Sequence, residues 1–201
     1  MNEGCSVLTV DCANAFNSPC RHKMADAIAS EKILRPFRSL FNLEYGDYSN
    51  LYLRHKEEVQ CLLSQRGCRQ GSVLSPLFFC ALLQPLHRKL KTDPRFKGLE
   101  VFAYMDDITL LHKDPRVLYE AFLFVRSELK KLLIKVNMKK CELYSRSTLP
   151  AEIVDLFSNI PDDIDDIKIS EDGAPAPPCL QDPYSLLVKP ALTSHRGALR
   201  D

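Results

Sequence analysis

Phe102-Ala103-Tyr104-Met105-Asp106-Asp107-Ile108-Thr109-Leu110 sets two adjacent acids between β-prone runs, Leu99 to Tyr104 before them and Ile108 to Leu111 after. That pattern predicts two strands joined by a tight turn with two carboxylates at its tip. An Asp-Asp pair is also simply a good turn former. What decides between the two readings is the company the pair keeps along the chain.

Upstream, Ser6 to Val10 is a short apolar run that delivers Asp11 at its end, 95 residues before Asp106. If the two strands are neighbours in one sheet, Asp11, Asp106 and Asp107 gather in space. Three such carboxylates suit two Mg2+ ions, because magnesium takes a few carboxylates together with phosphate oxygens. After Asp11, Ser18-Pro19 predicts an N-cap and first-turn proline for a helix. Asn50 to Arg54 and Glu58 to Leu63 predict a hairpin, which leads into the loop Arg66-Gly67-Cys68-Arg69-Gln70-Gly71. Ser75-Pro76 then opens an apolar helix carrying Leu77, Ala81 and Leu82, with a bend expected at Pro85. The loop therefore lies at a helix N-terminus, where free N–H groups favour a phosphate or another polar ligand.

Beyond the Asp-Asp hairpin, Asp114-Pro115 caps a helix whose Leu118, Phe122, Val125, Leu129 and Leu132 form one apolar face. Ile134 to Val136 and Glu142 to Ser145 can return the chain to the sheet.

In this order the motifs resemble the reverse transcriptases, particularly those of non-LTR retrotransposons. Leu8-Thr9-Val10-Asp11-Cys12-Ala13-Asn14-Ala15-Phe16-Asn17 resembles the first palm motif of that family. Arg66 to Phe79 is similar to its Gln-Gly loop and helix, and Phe102 to Leu110 to its Tyr-x-Asp-Asp hairpin. Val136-Asn137-Met138-Lys139-Lys140-Cys141-Glu142 resembles its Asn-x-x-Lys motif. The match covers residues 5 to 146, and its joint specificity far exceeds that of any one motif.

The resemblance implies an α+β fold: a ferredoxin-like polymerase palm, a small antiparallel sheet with helices packed on one face, and a β-hairpin directed toward fingers outside this chain. It implies Asp11 and Asp106 as principal ligands of two Mg2+ ions, with Mn2+ as a substitute, and Asp107 as a supporting ligand. Phe16 would lie against the sugar of the incoming nucleotide and bar a 2′-hydroxyl. Gln70 and Gly71 would border that nucleotide and its template partner. Lys140 would approach the triphosphate, with Lys139 as the adjacent register. The bland alternatives are core packing for Phe16, a helix-initiating turn for Gln70-Gly71 and a solvated surface cation for Lys140. Leu133 departs from the pattern, standing where a glycine commonly begins the fourth motif. The implied partners are an RNA template, a DNA primer and a dNTP, with further domains of a larger retrotransposon polyprotein.

Charge divides the chain at Thr148. Up to that residue there are 23 Lys and Arg against 16 Asp and Glu, and afterwards 4 against 10. A basic body attracts a polyanion and an acidic tail repels one. The expectation is a palm with partial fingers over residues 1–148, then an acidic, Pro-rich and weakly ordered tail over 149–201. Glu171 to Pro175 only faintly resembles the region after a palm. No run reaches the about 18 apolar residues of a membrane span, and no signal peptide is visible, so an intracellular protein is expected, the nucleus included. The eight cysteines have no C-x-x-C spacing and are read as reduced packing thiols. A fragment or decayed copy is expected, since the chain begins ten residues before Asp11. Two rival readings stay open: a silent nucleic-acid-binding remnant, and an RNA-directed RNA polymerase, against which Phe16 argues.

Overall fold

The computed structural model describes residues 4–46, 49–160 and 167–170. In chain order the elements are β1 (Ser6–Val10), β2 (Cys12–Ala13), α1 (Arg21–Ser30), α2 (Arg38–Tyr45), β3 (Ser49–His55), β4 (Glu58–Ser64) and α3 (Ser75–Thr92). There follow β5 (Glu100–Tyr104), β6 (Asp107–His112), α4 (Pro115–Lys131), β7 (Lys135–Val136), β8 (Glu142–Ser145), α5 (Ala151–Ser158) and β9 (Lys168–Ser170).

The main sheet runs β5-β6-β1-β8-β9, antiparallel except for the parallel β8–β9 pair. Its first four strands, with α3 and α4 in the connections, form a β-α-β-β-α-β unit, the expected ferredoxin-like palm arrangement. Burial explains why β1 sits at the centre. Leu8 faces Leu110 on one side and Leu143 on the other, and Val10 faces Ile108. Strand alternation puts these side chains on one face, and each is at most 2 % exposed. They join the apolar stripes of α3 and α4 in one hydrophobic core, where each fully buried aliphatic side chain contributes about 1.5–3 kcal/mol.

The helices largely begin as the sequence predicts. Asp114 accepts from the Arg116 N–H at the start of α4, and α3 continues through Pro85 as one helix. Ser18-Pro19 does not cap α1. The Ser18 hydroxyl turns back to the Asn14 carbonyl at 2.8 Å, and the Pro19 carbonyl accepts from Gly67, so the helix starts two residues later behind Cys20.

The β3–β4 hairpin forms its own two-stranded sheet and keeps Leu51, Tyr52, Leu53, Val59, Leu62 and Leu63 exposed. At the far end of the chain the structure corrects an expectation. Residues 149–160 are not weakly ordered: Leu149, Ile153, Phe157 and Ile160 are buried in the same core as the rest, and Phe157 meets Tyr119 of α4 edge-on at 5.3 Å. Apolar residues spaced by four, four and three drive this helix onto the core, a pattern the sign of the charge hides. Ile167 is buried and Ile169 lies opposite Leu143. The acidic run at residues 162–166 and the Pro-rich residues 171–201 fall outside the described residues. Among the described residues no helix is long and apolar enough to cross a membrane.

Candidate active site

The register of β1 and β6 draws the three acidic residues to one end of the strand pair. Pairing ends at Val10 opposite Ile108, so Asp11 and Asp107 are the next residues of the two chains at that end. By strand alternation both belong to the face opposite Leu8 and Val10, the side away from the apolar helix stripes. Asp106 lies in the two-residue connection between β5 and β6, preceded by Met105 with φ at 55°. A left-handed methionine is strained by about 1–3 kcal/mol, the kind of cost found where a turn must hold an unusual shape.

Electrostatics registers the same convergence. Burial pushes the Cys12 thiol up most, and the charges of Asp106, Asp11, Cys141 and Asp107 add to it, carrying it to about 12. Three carboxylates from two distant parts of the chain therefore act on one buried thiol.

The Asn-x-x-Lys segment is attached to this point through its backbone. The Asn137 N–H donates to the Asp11 carbonyl at 2.8 Å, while β7 pairs Val136 with Cys12. Lys140 ends the 3-10 turn of residues 138–140 and is exposed. Before this segment, α4 closes with Ile134 donating to Leu129 and Leu133 to Lys130. That Schellman closure needs a left-handed residue at position 133, and Leu133 adopts φ 66° there. The departure noted in the sequence falls where glycine is favoured.

Phe16 and the Gln-Gly loop are also brought together. The half-buried Phe16 ring stacks on Phe79 of α3 with centroids 4.4 Å apart and packs against the core. Cys68 donates to the Phe16 carbonyl at 2.6 Å, Gly67 to the Pro19 carbonyl at 2.8 Å, and Gln70 Nε2 to Asn17 Oδ1 at 3.2 Å. Gly67 has φ +71°, and a Cβ there would lie 2.5 Å from backbone atoms of Asn17. Gly71, with φ +83°, faces open space. One glycine thus permits close approach between two backbones, and the other leaves room at the loop's outer edge.

Sequence reasoning missed the residues that anchor this loop. Arg21 is only 8 % exposed. It donates to the carbonyls of Ser64, Arg66 and Gly67 and to the Ser64 hydroxyl, and its guanidinium lies 5.1 Å from the Tyr45 ring centroid. The Tyr45 and Ser75 hydroxyls are 2.9 Å apart. Tyr45 accepts from the Arg69 N–H, and Ser75 donates to the Arg69 carbonyl. A weak signal existed: Arg21, Met24, Ala27 and Ile28 share the buried side of α1, so the arginine falls on an otherwise apolar stripe.

The donor set suits Mg2+, since Asp11, Asp106 and Asp107 offer hard carboxylate oxygens. Among the described residues no group of three or more His, Cys, Asp or Glu forms a metal cage by itself. Magnesium does not require one, being commonly held by one or two carboxylates with phosphate oxygens and water completing its shell.

The sequence profile of the family described as "Reverse transcriptase (RNA-dependent DNA polymerase)" matches residues 1–170. The retrotransposable element SLACS 132 kDa protein of Trypanosoma brucei gambiense is 34% identical over 112 residues, covering 52% of this chain and 9% of that protein. The retrovirus-related Pol polyprotein from the type-1 retrotransposable element R2 of Nasonia vitripennis is 22% identical over 143 residues, covering 69% and 14%. The chain thus spans about a tenth of the length of these relatives. In fold it is similar to the apo telomerase of Candida tropicalis truncated from its C-terminal domain, with a TM-score of 0.56, 13% identity, and 73% of this chain and 32% of that chain covered. The same telomerase with a fragment of telomeric RNA gives 0.53, 15%, 72% and 27%.

Proposed function

The chain belongs to the reverse transcriptase (RNA-dependent DNA polymerase) family, and from that premise we propose that it is the palm of an RNA-directed DNA polymerase from a retrotransposon-like element. The observation that supports the reading is the strand register, which draws Asp11, Asp106 and Asp107 toward one end of the β1–β6 pair, with the charges of all three adding to the burial that raises the Cys12 thiol. The substrates are a DNA primer, an RNA template and a dNTP, and the product is a primer longer by one deoxynucleotide, with pyrophosphate released.

Asp11 and Asp106 would hold two Mg2+ ions, with Asp107 supporting them, and the ions would supply acidification of the primer 3′-hydroxyl and charge to offset that of the departing pyrophosphate. The remaining work falls to the protein. Phe16, braced by Phe79, sets the floor beneath the deoxyribose and leaves no space for a 2′-hydroxyl. Gln70 and Gly71 border the new base pair, Gly71 through its open outer side. Lys140, on the turn anchored to Asp11 through Asn137, supplies a cation toward the triphosphate. Other domains of a longer retrotransposon polyprotein complete the grip on the nucleic acid.

Primer extension on an RNA template tests this directly. The expected result is Mg2+-dependent incorporation of deoxynucleotides in strong preference to ribonucleotides, abolished by EDTA. Equal use of ribonucleotides would remove the role of Phe16. Salt-sensitive binding of the template–primer without any synthesis would replace the polymerase reading with that of a nucleic-acid-binding remnant.

A further inference from the structure

The Gln70-Gly71 loop has no regular secondary structure between Ser64 and Ser75, so side chains and isolated backbone bonds must set its position. Arg21 supplies the densest set of them. Four hydrogen bonds run from its guanidinium to Ser64, Arg66 and Gly67, at 2.7 to 3.1 Å. They cross 43 to 46 residues of sequence. The acceptors are the last residue of β4 and the first residues of the loop, so one planar group fixes the angle at which the loop leaves the hairpin.

A planar fork with several fixed donors can hold three carbonyls at once; an ammonium, a point charge on a flexible stem, cannot match that pattern. Burial is unfavourable to the charge and lowers the Arg21 pKa from its ordinary value. A cation kept there by neutral carbonyls, a hydroxyl and the face of Tyr45 is a costly way to fill space. The same loop reaches the sugar-binding side through Cys68, whose N–H is bonded to the Phe16 carbonyl, and through Gln70, which is bonded to Asn17.

We infer that Arg21 is a positioning residue for the incoming nucleotide: it holds the Gln70-Gly71 loop at the height that matches the Phe16 floor, without itself touching substrate. This rests on the polymerase reading and adds a residue that acts through the loop, not on the reacting atoms. The residue is distinct from the carboxylate cluster, and its loss should weaken nucleotide binding while leaving the chemical step intact.

The test uses the full chain and Arg21→Lys, which retains the charge and removes the fork. Amide hydrogen exchange reads the loop without requiring activity: exchange at residues 66–71 should rise at least tenfold, with the amides of α4 unchanged. Nucleotide binding is read on an RNA template paired with a chain-terminated primer, so that no turnover occurs. The Kd for the complementary dNTP should rise about tenfold, and in ordinary primer extension KM should rise while kcat stays within twofold. Unchanged exchange at 66–71, a uniform rise across the chain, or a fall in kcat at constant KM would each overturn the inference. Asp106→Asn serves as the separating control. If that variant still extends primers at the parental rate, the assignment of the carboxylates fails, and if the parent extends no primer, the polymerase reading fails; in both cases the exchange result continues to report whether Arg21 holds the loop. A parent chain that binds no dNTP at all overturns the positioning role together with that reading.

Discussion

Replacing Gly67 by alanine attacks the joint between the Phe16 segment and the Gln-Gly loop, and the cost can be worked from its surroundings. The new Cβ would sit 2.5 Å from the Asn17 carbonyl carbon and oxygen and 2.6 Å from its Cα. All three are backbone atoms, so no flexible side-chain end can swing aside. Alanine at φ +71° pays about 1–2 kcal/mol for a left-handed conformation. Separating the strands of chain to relieve the clash lengthens the Gly67-to-Pro19 and Cys68-to-Phe16 hydrogen bonds, each worth about 1 kcal/mol. The sum is about 3–4 kcal/mol. Urea unfolding followed by far-ultraviolet circular dichroism should show that loss, and the melting temperature should fall by about 10 °C for a chain of this size. Gly71→Ala is the matched comparison: φ is also positive, but nothing lies within 4 Å, so about 1–2 kcal/mol is expected from backbone strain alone. A Gly67→Ala loss no larger than that of Gly71→Ala would refute the claim that two backbones press together at this point.

Three further perturbations probe other parts of the account. Phe157→Ala should cost about 3–5 kcal/mol in the same urea assay, because its fully buried ring on α5 leaves a cavity; a change under about 1 kcal/mol would detach α5 from the core. Leu133→Gly should raise stability slightly, because it relieves about 1–2 kcal/mol of left-handed strain and gives back about 0.5–1 kcal/mol to the freer unfolded chain; a lower melting temperature would contradict the Schellman geometry. The Cys68 thiol is pushed to about 12, chiefly by burial, with Glu44 and Cys80 adding to the rise and Arg21 opposing it. Since the folded value lies above the ordinary 9.0, its contribution is complete below pH 9 and is lost as pH rises from 9 toward 12. The pH-dependence of melting in that window should flatten in Cys68→Ala, and an unaltered slope would assign the loss to other groups.

Much of the fold was legible because its signals are local. Ser6 to Val10 is apolar and short and ends on an acid, and the Asp106-Asp107 turn interrupts two β-prone runs, so β1, β5 and β6 could be read from neighbours in sequence. The α5 helix was not, because the buried apolar residues in it and beside it, Leu149, Ile153, Phe157 and Ile160, are interleaved with Glu152 and Asp155 and followed by an acidic run, and the net charge drew attention from the spacing. Ser18 looks like a cap and becomes one for a different segment, since its hydroxyl finds Asn14. Arg21 was missed for a deeper reason: every acceptor it reaches lies more than 40 residues away, and only a fold can show that a basic residue is turned inward. Of the candidate site, the identities of Asp11, Phe16, Gln70, Gly71 and Asp106 came from the motifs. The bonds that tie their segments together, Asn137 to Asp11, Cys68 to Phe16 and Gln70 to Asn17, are long-range and had no counterpart in the sequence.

The measurement that bears most directly on the central proposal is single-nucleotide extension of a DNA primer on an RNA template in Mg2+, comparing the parent chain with Asp106→Asn. Asparagine preserves size and removes the charge that would hold the ions, so incorporation should fall by at least about 100-fold, a typical cost for deleting one preorganised electrostatic contact, while melting temperature and template–primer binding stay near the parental values. Equal incorporation rates for the two proteins would contradict the assignment of Asp11, Asp106 and Asp107 as the metal-binding centre.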